Sequence, residues 1–289
     1  MPSCGDADLL AFREKVLERG LELYRELPWR NTCDPYAIWI SEVMLQQTQV
    51  SRVDGRWQRW LERFPSVDVL AAATSAEVLE EWQGLGYNRR ALAVLRAAQA
   101  VTGECGGTMP SDARGLTALP GIGPATAAGI RAFAFDLHAV YLETNVRAVV
   151  LHELFACREA VPDSELVPIV DATCPADASD PNDDPRTWYY ALLDYGAYLK
   201  RTVPNPSRRS AGHVRQSRFE GSHRQKRAEI VRVLLAAAAG VTCEDVTVAV
   251  NAVEKSARRE PVAAADVNAL LVELASEGFC HNEGDLWLV

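Results

Sequence analysis

Long apolar runs are missing from this chain of 289 residues. No stretch approaches the roughly 18 residues that a bilayer-spanning helix needs, so no membrane segment is expected. Met1 to Asp8 are polar and acidic and lack the basic-then-apolar order of a secretory leader. Paired cysteines are missing as well. Cys4, Cys33, Cys105, Cys157, Cys174, Cys243 and Cys280 come no closer than 17 positions to one another, which excludes a local C-x-x-C metal or redox site. An odd number of scattered cysteines without a leader reads as free thiols in a reducing compartment, and a cytoplasmic protein is expected. No internal repeat is visible. No alternating strand pattern occurs before residue 240, so the first 200 residues read as all-α.

Positive charge is in short supply overall. The net charge of −9 argues against a polyanionic partner, but the average hides a patch. Between Lys200 and Arg232 ten basic residues (200, 201, 208, 209, 215, 218, 224, 226, 227 and 232) face only Glu220 and Glu229, so that segment is +8 and the remainder −17. A local basic stripe is what phosphate contact requires, whereas whole-chain charge mainly sets solubility. For Pro204 to Ser222, two readings stand side by side: a phosphate-contacting stripe that includes Arg208 and Arg209, or a solvated linker.

What is present is an ordinary globular composition, 48% apolar and 24% charged, with length enough for one to two domains. Helical periodicity dominates. It predicts helices over 8–27 (closed by Pro28-Trp29-Arg30), from Asp34 to about Thr48, over 52–64, twice within 66–82 with Ser75 as an N-cap, and over 89–102. Gly84-Leu85-Gly86-Tyr87 reads as a tight turn. Further helices are predicted over 111–118, 126–135, 145–155, 164–174 and 186–200, with an acidic loop from Asp177 to Asp184. The tail differs: helices over 224–239, 244–253 and 266–277 precede two short apolar runs, 278–281 and 286–289, around Asn282-Glu283-Gly284-Asp285. That is a β-hairpin pattern, and three helices with a hairpin suggest a small α+β, winged-helix-like domain.

The most informative stretch is Leu119-Pro120-Gly121-Ile122-Gly123-Pro124-Ala125-Thr126 between two short helices. Glycines let a backbone turn sharply and approach another surface. The first N–H groups of the following helix would then point at an anion, and such a contact reads a phosphate backbone and not its sequence. A dinucleotide fingerprint does not fit, because Thr126 stands where a third glycine belongs and a helix precedes. Taken alone, a plain helix-to-helix turn explains the residues equally well.

Other motifs surround it: Pro28-Trp29-Arg30, Trp39-Ile40-Ser41-Glu42-Val43-Met44-Leu45-Gln46-Gln47-Thr48-Gln49-Val50, Trp82-x-Gly84-Leu85-Gly86-Tyr87, Asn145-Val146-Arg147 and Leu193-Asp194-x-Gly196-Ala197. In this order, over roughly residues 8 to 200, they resemble the helix-hairpin-helix base-excision DNA glycosylases, most nearly the adenine-directed branch. The resemblance implies an all-α, two-lobed helix-hairpin-helix glycosylase fold over 1–203. A basic linker over 204–222 and the winged-helix-like domain over 223–289 would follow. It makes Gly121, Ile122, Gly123, Ala125 and Thr126 the DNA-binding hairpin, which favours the clamp over the plain turn.

Cutting a base from deoxyribose needs an acid to protonate the departing base and a carboxylate to face the cation-like sugar. By resemblance Glu42 is the acid. Its apolar helix neighbours would raise its pKa and keep it protonated. The second family carboxylate is an aspartate, where this chain has Glu143, whose extra methylene moves the carboxyl by about 1.5 Å. The nucleophilic lysine of bifunctional relatives is replaced by Ala125, so hydrolysis without strand cleavage is expected. Gln46 and Gln47 match the glutamine that fills the gap left by a flipped base. By the same resemblance, Arg30, Tyr87 and Asp194 fall near the base pocket.

The family's four-cysteine iron–sulfur cluster has no counterpart here, since Lys200 stands at the first ligand position and no cysteine occurs from 175 to 242. No cofactor and no metal are expected. The expected partner is duplex DNA with a mismatched or damaged base, adenine as the first guess and thymine or uracil as the alternative. A catalytically weakened damaged-DNA-binding relative is a further reading. A nucleoid-associated monomer is expected.

Overall fold

The computed structural model describes residues 6–176, 183–213 and 218–289. Met1 to Gly5, most of the expected acidic loop and four residues of the expected linker therefore lie outside the described residues. Fifteen α-helices and three short strands are described, and the chain divides into two compact units.

The first unit takes Met1–Val43 and Met109–Arg215. It contains α1 (Asp6–Leu23), a 3-10 turn (Pro28–Asn31) and most of α2 (Pro35–Leu45). Then come α8 (Ala113–Ala118), α9 (Pro124–Phe135), α10 (Thr144–Leu154), α11 (Asp163–Thr173), α12 (Pro185–Thr202) and a second 3-10 turn (Pro206–Arg209). Helix α12 is central, packed against α1 and α10. Asp184 caps its start by accepting from the Thr187 amide at 2.7 Å, and Trp188, Tyr189, Tyr190 and Tyr195 bury its aromatic face. Gly196 sets the approach to α10: a Cβ there would lie 2.3 Å from the Asn145 carbonyl oxygen. Any side chain would therefore push the start of α10 away.

Residues 204–213 do not form an extended linker. Pro206 and Ser207 are buried, and Val161 and Ser210 form a parallel bridge. Arg209 donates to the carbonyls of Phe155 (2.6 Å), Ala156 (2.7 Å) and Leu151 (2.7 Å), closing the C-terminal end of α10. A cation with donors satisfies the last carbonyls of a helix and complements its dipole.

The second unit takes Met44–Thr108 and Gln216–Val289. Its first part holds α3 (Val50–Val53), α4 (Arg56–Arg63), α5 (Val67–Ala71), α6 (Ser75–Trp82) and α7 (Arg89–Glu104). The expected single helix over 52–64 is broken, because Gly55 adopts φ 76° between α3 and α4. The cap of α6 is Thr74 and not Ser75. Thr74 and Glu77 form a reciprocal capping box, which satisfies two amides where a lone serine would satisfy one. Trp60 centres an aromatic core, 4.9 Å from Phe64 and 5.5 Å from Trp82 between ring centroids.

Its second part is α13 (His223–Ala236), β1 (Val241–Thr242), α14 (Cys243–Ser256), α15 (Ala264–Ser276), β2 (His281–Glu283) and β3 (Leu286–Leu288). The hairpin β2–β3 turns at Gly284 (φ 66°) and Asp285, and β3 pairs on its other side with β1, giving the order β1-β3-β2. Strand β1 escaped the sequence pattern because two residues carry no period. Ile230, Leu234, Val246, Val250, Val267, Leu271, Leu274 and Phe279 fill the core beneath the sheet.

Candidate active site

Asp34 starts α2 by accepting from the amides of Tyr36 (3.2 Å) and Ala37 (3.1 Å), with Pro35 at the first helical position. The helix is apolar nearly all round: Ile38, Trp39, Ile40, Val43 and Met44 are buried, and Ser41 turns its hydroxyl back to the Ile38 carbonyl. Glu42 is the one carboxylate in it. Its Oε2 accepts from the Tyr141 hydroxyl at 3.0 Å. Burial pushes its pKa up to about 8. The Tyr141 hydrogen bond opposes that shift, and the nearby charge of Glu143 adds to it.

The pocket for this carboxyl is made by an absent side chain. A Cβ on Gly129 of α9 would lie 2.3 Å from Glu42 Oε2 and 2.9 Å from its Cδ. Tyr141 is fixed in turn. Its amide donates to the Tyr189 hydroxyl at 3.0 Å, and its ring packs edge-on to Phe133 and Tyr189. Burial, with the charges of Glu42 and Glu143, holds the Tyr141 phenol well above its ordinary pKa, so it stays a donor.

Glu143 is the N-cap of α10. Its Oε1 accepts from the amides of Asn145 (2.6 Å) and Val146 (3.3 Å). The extra methylene relative to aspartate is thus taken up without losing the cap. Burial raises the Glu143 pKa. The amide bonds and the charge of Lys200, which donates to Asn145 Oδ1 at 2.9 Å, pull the other way. The two carboxyl groups accordingly sit in unlike settings. Glu42 meets burial with one hydroxyl donor; Glu143 meets it with a helix N-terminus and a cation. Such pairs divide acid and anion roles.

The hairpin follows in the same unit. Asp112 caps α8 by accepting from the Gly115 amide at 2.9 Å. Gly121 turns the chain at φ 76°, Ile122 packs inward at 4% exposure and Thr126 is buried, while Gly121, Gly123 and Ala125 are exposed. Helix α9 begins at Pro124 without a side-chain cap. The loop thus presents an uncapped helix start at the surface, the arrangement that holds a phosphate.

In the second unit, Gln46 and Gln47 follow α2, Gln47 exposed with φ 53°, and Tyr87 ends the Gly84-Leu85-Gly86-Tyr87 turn with φ 50°. Arg90 ties these two loops together. It donates to the carbonyls of Gln46 (2.7 Å), Met44 (3.2 Å), Leu85 (3.3 Å) and Gly86 (2.9 Å) and lies over the rings of Trp82 and Tyr87. Burial brings its pKa down to about 10, still far above neutrality.

Three residues expected at the base pocket or on DNA have partners within the fold. Arg30 and Asp194, expected at the base pocket, form a two-pronged ion pair (2.7 and 2.8 Å) inside the first unit. Their side chains are 1% and 0% exposed, so their polar groups meet each other, and the pair joins the first 3-10 turn to α12. Arg209, expected on DNA, is taken up by the end of α10 as described above, whereas Arg208 is exposed.

The sequence reading missed Tyr141, Gly129, Arg90 and Tyr190. Tyr141 had a signal: two positions before Glu143 in a non-helical stretch, it shares that residue's side of an extended backbone. Tyr190 is nine-tenths buried, its hydroxyl has no partner among the described residues, and its pKa is raised by burial with a further push from the Glu42 charge. The Arg30 guanidinium lies 4.3 Å from its ring centroid. No group of three or more His, Cys, Asp or Glu that could hold a metal is found among the described residues. No cysteine occurs from 175 to 242, so the residues directly after α12 do not fit a four-cysteine cluster.

Comparison with known proteins bears on this geometry. The chain is 36% identical over 227 residues to an adenine DNA glycosylase of Mycolicibacterium smegmatis, covering 73% of this chain and 75% of that one. It is 41% identical over 152 residues to the adenine DNA glycosylase of Mus musculus, covering 50% of this chain but only 30% of the mouse protein. Among solved structures, a thermostable thymine-DNA glycosylase superposes with a TM-score of 0.58 at 22% identity, over 67% of this chain and 88% of that one. An endonuclease III from a trapped DNA complex superposes with a TM-score of 0.56 at 17% identity, over 76% and 93%. These two share the fold. The family model for the HhH-GPD superfamily of base excision DNA repair proteins matches residues 40–270, Glu42, the hairpin and Glu143 among them, and the chain belongs to that superfamily.

Proposed function

We propose that this protein is a monofunctional DNA glycosylase of base excision repair that hydrolyses the N-glycosidic bond of a flipped base in duplex DNA. The observation that carries this reading is the Glu42 carboxyl, seated in the gap left by Gly129 and bonded to the Tyr141 hydroxyl at 3.0 Å, where burial raises its pKa to about 8. Glu42 gives its proton to the base as the bond to C1′ of the sugar breaks and the bonding electrons leave with the base. Glu143, whose pKa burial raises while the α10 amides and the charge of Lys200 oppose that rise, faces the positive sugar. Water adds to C1′ and loses a proton, which restores Glu42.

Ala125 supports hydrolysis without a strand-cleaving step, since no amine stands there to form a Schiff base. The named relatives are adenine DNA glycosylases, so mispaired adenine is the first substrate. Mispaired thymine or uracil is the rival. A partner of duplex DNA follows from the exposed hairpin, and the protein acts as a cytoplasmic monomer without an iron–sulfur cluster. In this reading the three helices and three strands after residue 222 form a winged-helix-like domain, a view their order along the chain supports.

The test is a panel of duplexes, each with one mispaired or damaged base, incubated with enzyme and then with alkali. Strand breaks only after alkali on one member are expected. Breaks without alkali would refute the monofunctional reading, and no breaks on any member would refute the enzyme. Purified protein should be colourless near 400 nm; a brown preparation would contradict the missing cluster.

A further inference from the structure

The turn that carries Tyr87 is held from several sides within the second unit. Arg52 and Arg56 donate to the carbonyls of Gly84 and Gln83, and Arg90 to those of Leu85 and Gly86. A fourth arginine arrives from a distant part of the chain. Arg224, in the first turn of α13, donates its Nη1 to the Tyr87 hydroxyl at 2.8 Å, and its guanidinium lies 5.5 Å from the ring centroid. Charged pairs hold α13 and α15 beside the turn. Arg89 donates to Glu277 (2.6 Å), and Arg227 donates to the same Glu277 (2.7 Å) and pairs with Glu273 (2.7 Å).

Two features of this contact need explaining. A cation in the first turn of a helix is disfavoured by the macrodipole, and Tyr87 offers Arg224 a compensating hydroxyl and π face. Tyr87 itself adopts φ 50°, unusual for a bulky residue, and keeps its ring 36% exposed. An exposed ring in a constrained backbone, clamped on its hydroxyl and on its face, is arranged to meet a ligand already oriented.

We propose that the C-terminal helices belong to the DNA-gripping surface, with Arg224 as a positioning residue that holds the Tyr87 ring for duplex DNA. This role rests on the glycosylase reading above and on Tyr87 facing DNA, as the family resemblance implies. A free tyrosine ring samples several rotamers and loses that freedom on binding. A ring held beforehand by Arg224 loses less, so the arginine acts on affinity without touching the DNA.

A double-mutant cycle tests this on the full chain, with affinity for a duplex bearing a stable abasic analogue as readout. Arg224→Ala should weaken binding about two- to tenfold, the cost of ordering one freed side chain on binding. Adding it to Tyr87→Ala should weaken binding no further than Tyr87→Ala alone. Arg224→Lys should restore part of the affinity. Thermal midpoints are measured for every variant, because a merely structural arginine would lower stability and binding equally in both Tyr87 backgrounds. Equal loss in both backgrounds, or no loss, would overturn the role of Arg224 while leaving the glycosylase reading intact. Failure of the unaltered protein to bind or cut any duplex would overturn both.

Discussion

Replacing Glu42 by glutamine separates the two consequences of burying its carboxyl. The folded protein keeps a proton on Glu42 up to a pKa of about 8, whereas the unfolded chain releases it near 4.5. Between those values the folded state binds the extra proton, so stability falls as pH rises through the window and levels off above about 8. A glutamine never ionises and escapes this loss, and its amide oxygen can still accept from Tyr141. At pH 7 the loss is at most about 3 kcal/mol, taking 1.36 kcal/mol per pH unit. Denaturant unfolding should therefore find Glu42→Gln equal to the parent near pH 4 and increasingly more stable toward pH 8. The same substitution should abolish excision, because no proton remains to give; loss of a positioned general acid costs about two to four orders of magnitude. In the parent, excision at low substrate should decline above about pH 8 as Glu42 ionises. A variant no more stable than the parent at pH 8 would show that the carboxyl is not held protonated. A variant that still excises would remove Glu42 from the mechanism.

Three further outcomes follow from the same geometry. Gly129→Ala places a methyl 2.3 Å from Glu42 Oε2, and the flexible carboxyl will swing aside; excision should fall about a hundredfold with little loss of stability. Equal excision by that variant would show that the carboxyl position does not matter. Glu143→Gln keeps an oxygen for the Asn145 and Val146 amides but removes the charge, so unfolding should change by less than about 1 kcal/mol while excision falls about a hundredfold. Arg209→Ala removes three hydrogen bonds at the end of α10 and should destabilise by about 2 kcal/mol, leaving the salt dependence of DNA binding unaltered. A reduced salt slope would return Arg209 to the DNA surface.

Much of this protein was legible along the chain because its signals are local. The helices announce themselves by apolar period, and the hairpin by two glycines around an inward isoleucine between short helices. Glu42 stood out as a carboxylate among apolar neighbours of one helix, which is enough to expect a raised pKa. Glu143 and the capped start of α10 are likewise a matter of consecutive residues. The partners that the sequence did not reveal share a physical cause. Arg30, Asp194 and Arg209 are charged residues in or near motifs, and a charged side chain's partner is chosen by the fold. Arg30 and Asp194 are 164 residues apart yet form an ion pair, and Arg209 finds carbonyls more than 50 residues back. Gly129 lies unmarked within the predicted helix over 126–135; only the arrival of α2 makes its missing side chain the space for a carboxyl.

By itself, then, the sequence determined the helical elements, the glycine turn between α8 and α9, a carboxylate among apolar neighbours at Glu42 and an alanine at position 125, since each depends on neighbours within a few positions. The tertiary structure decided what those groups experience. It placed the Tyr141 hydroxyl on Glu42, Lys200 beside the start of α10, Arg90 across two loops and Arg224 on Tyr87. Hydrogen bonds and burial act through space over a few ångströms, and no spacing along the chain specifies which distant residue arrives there.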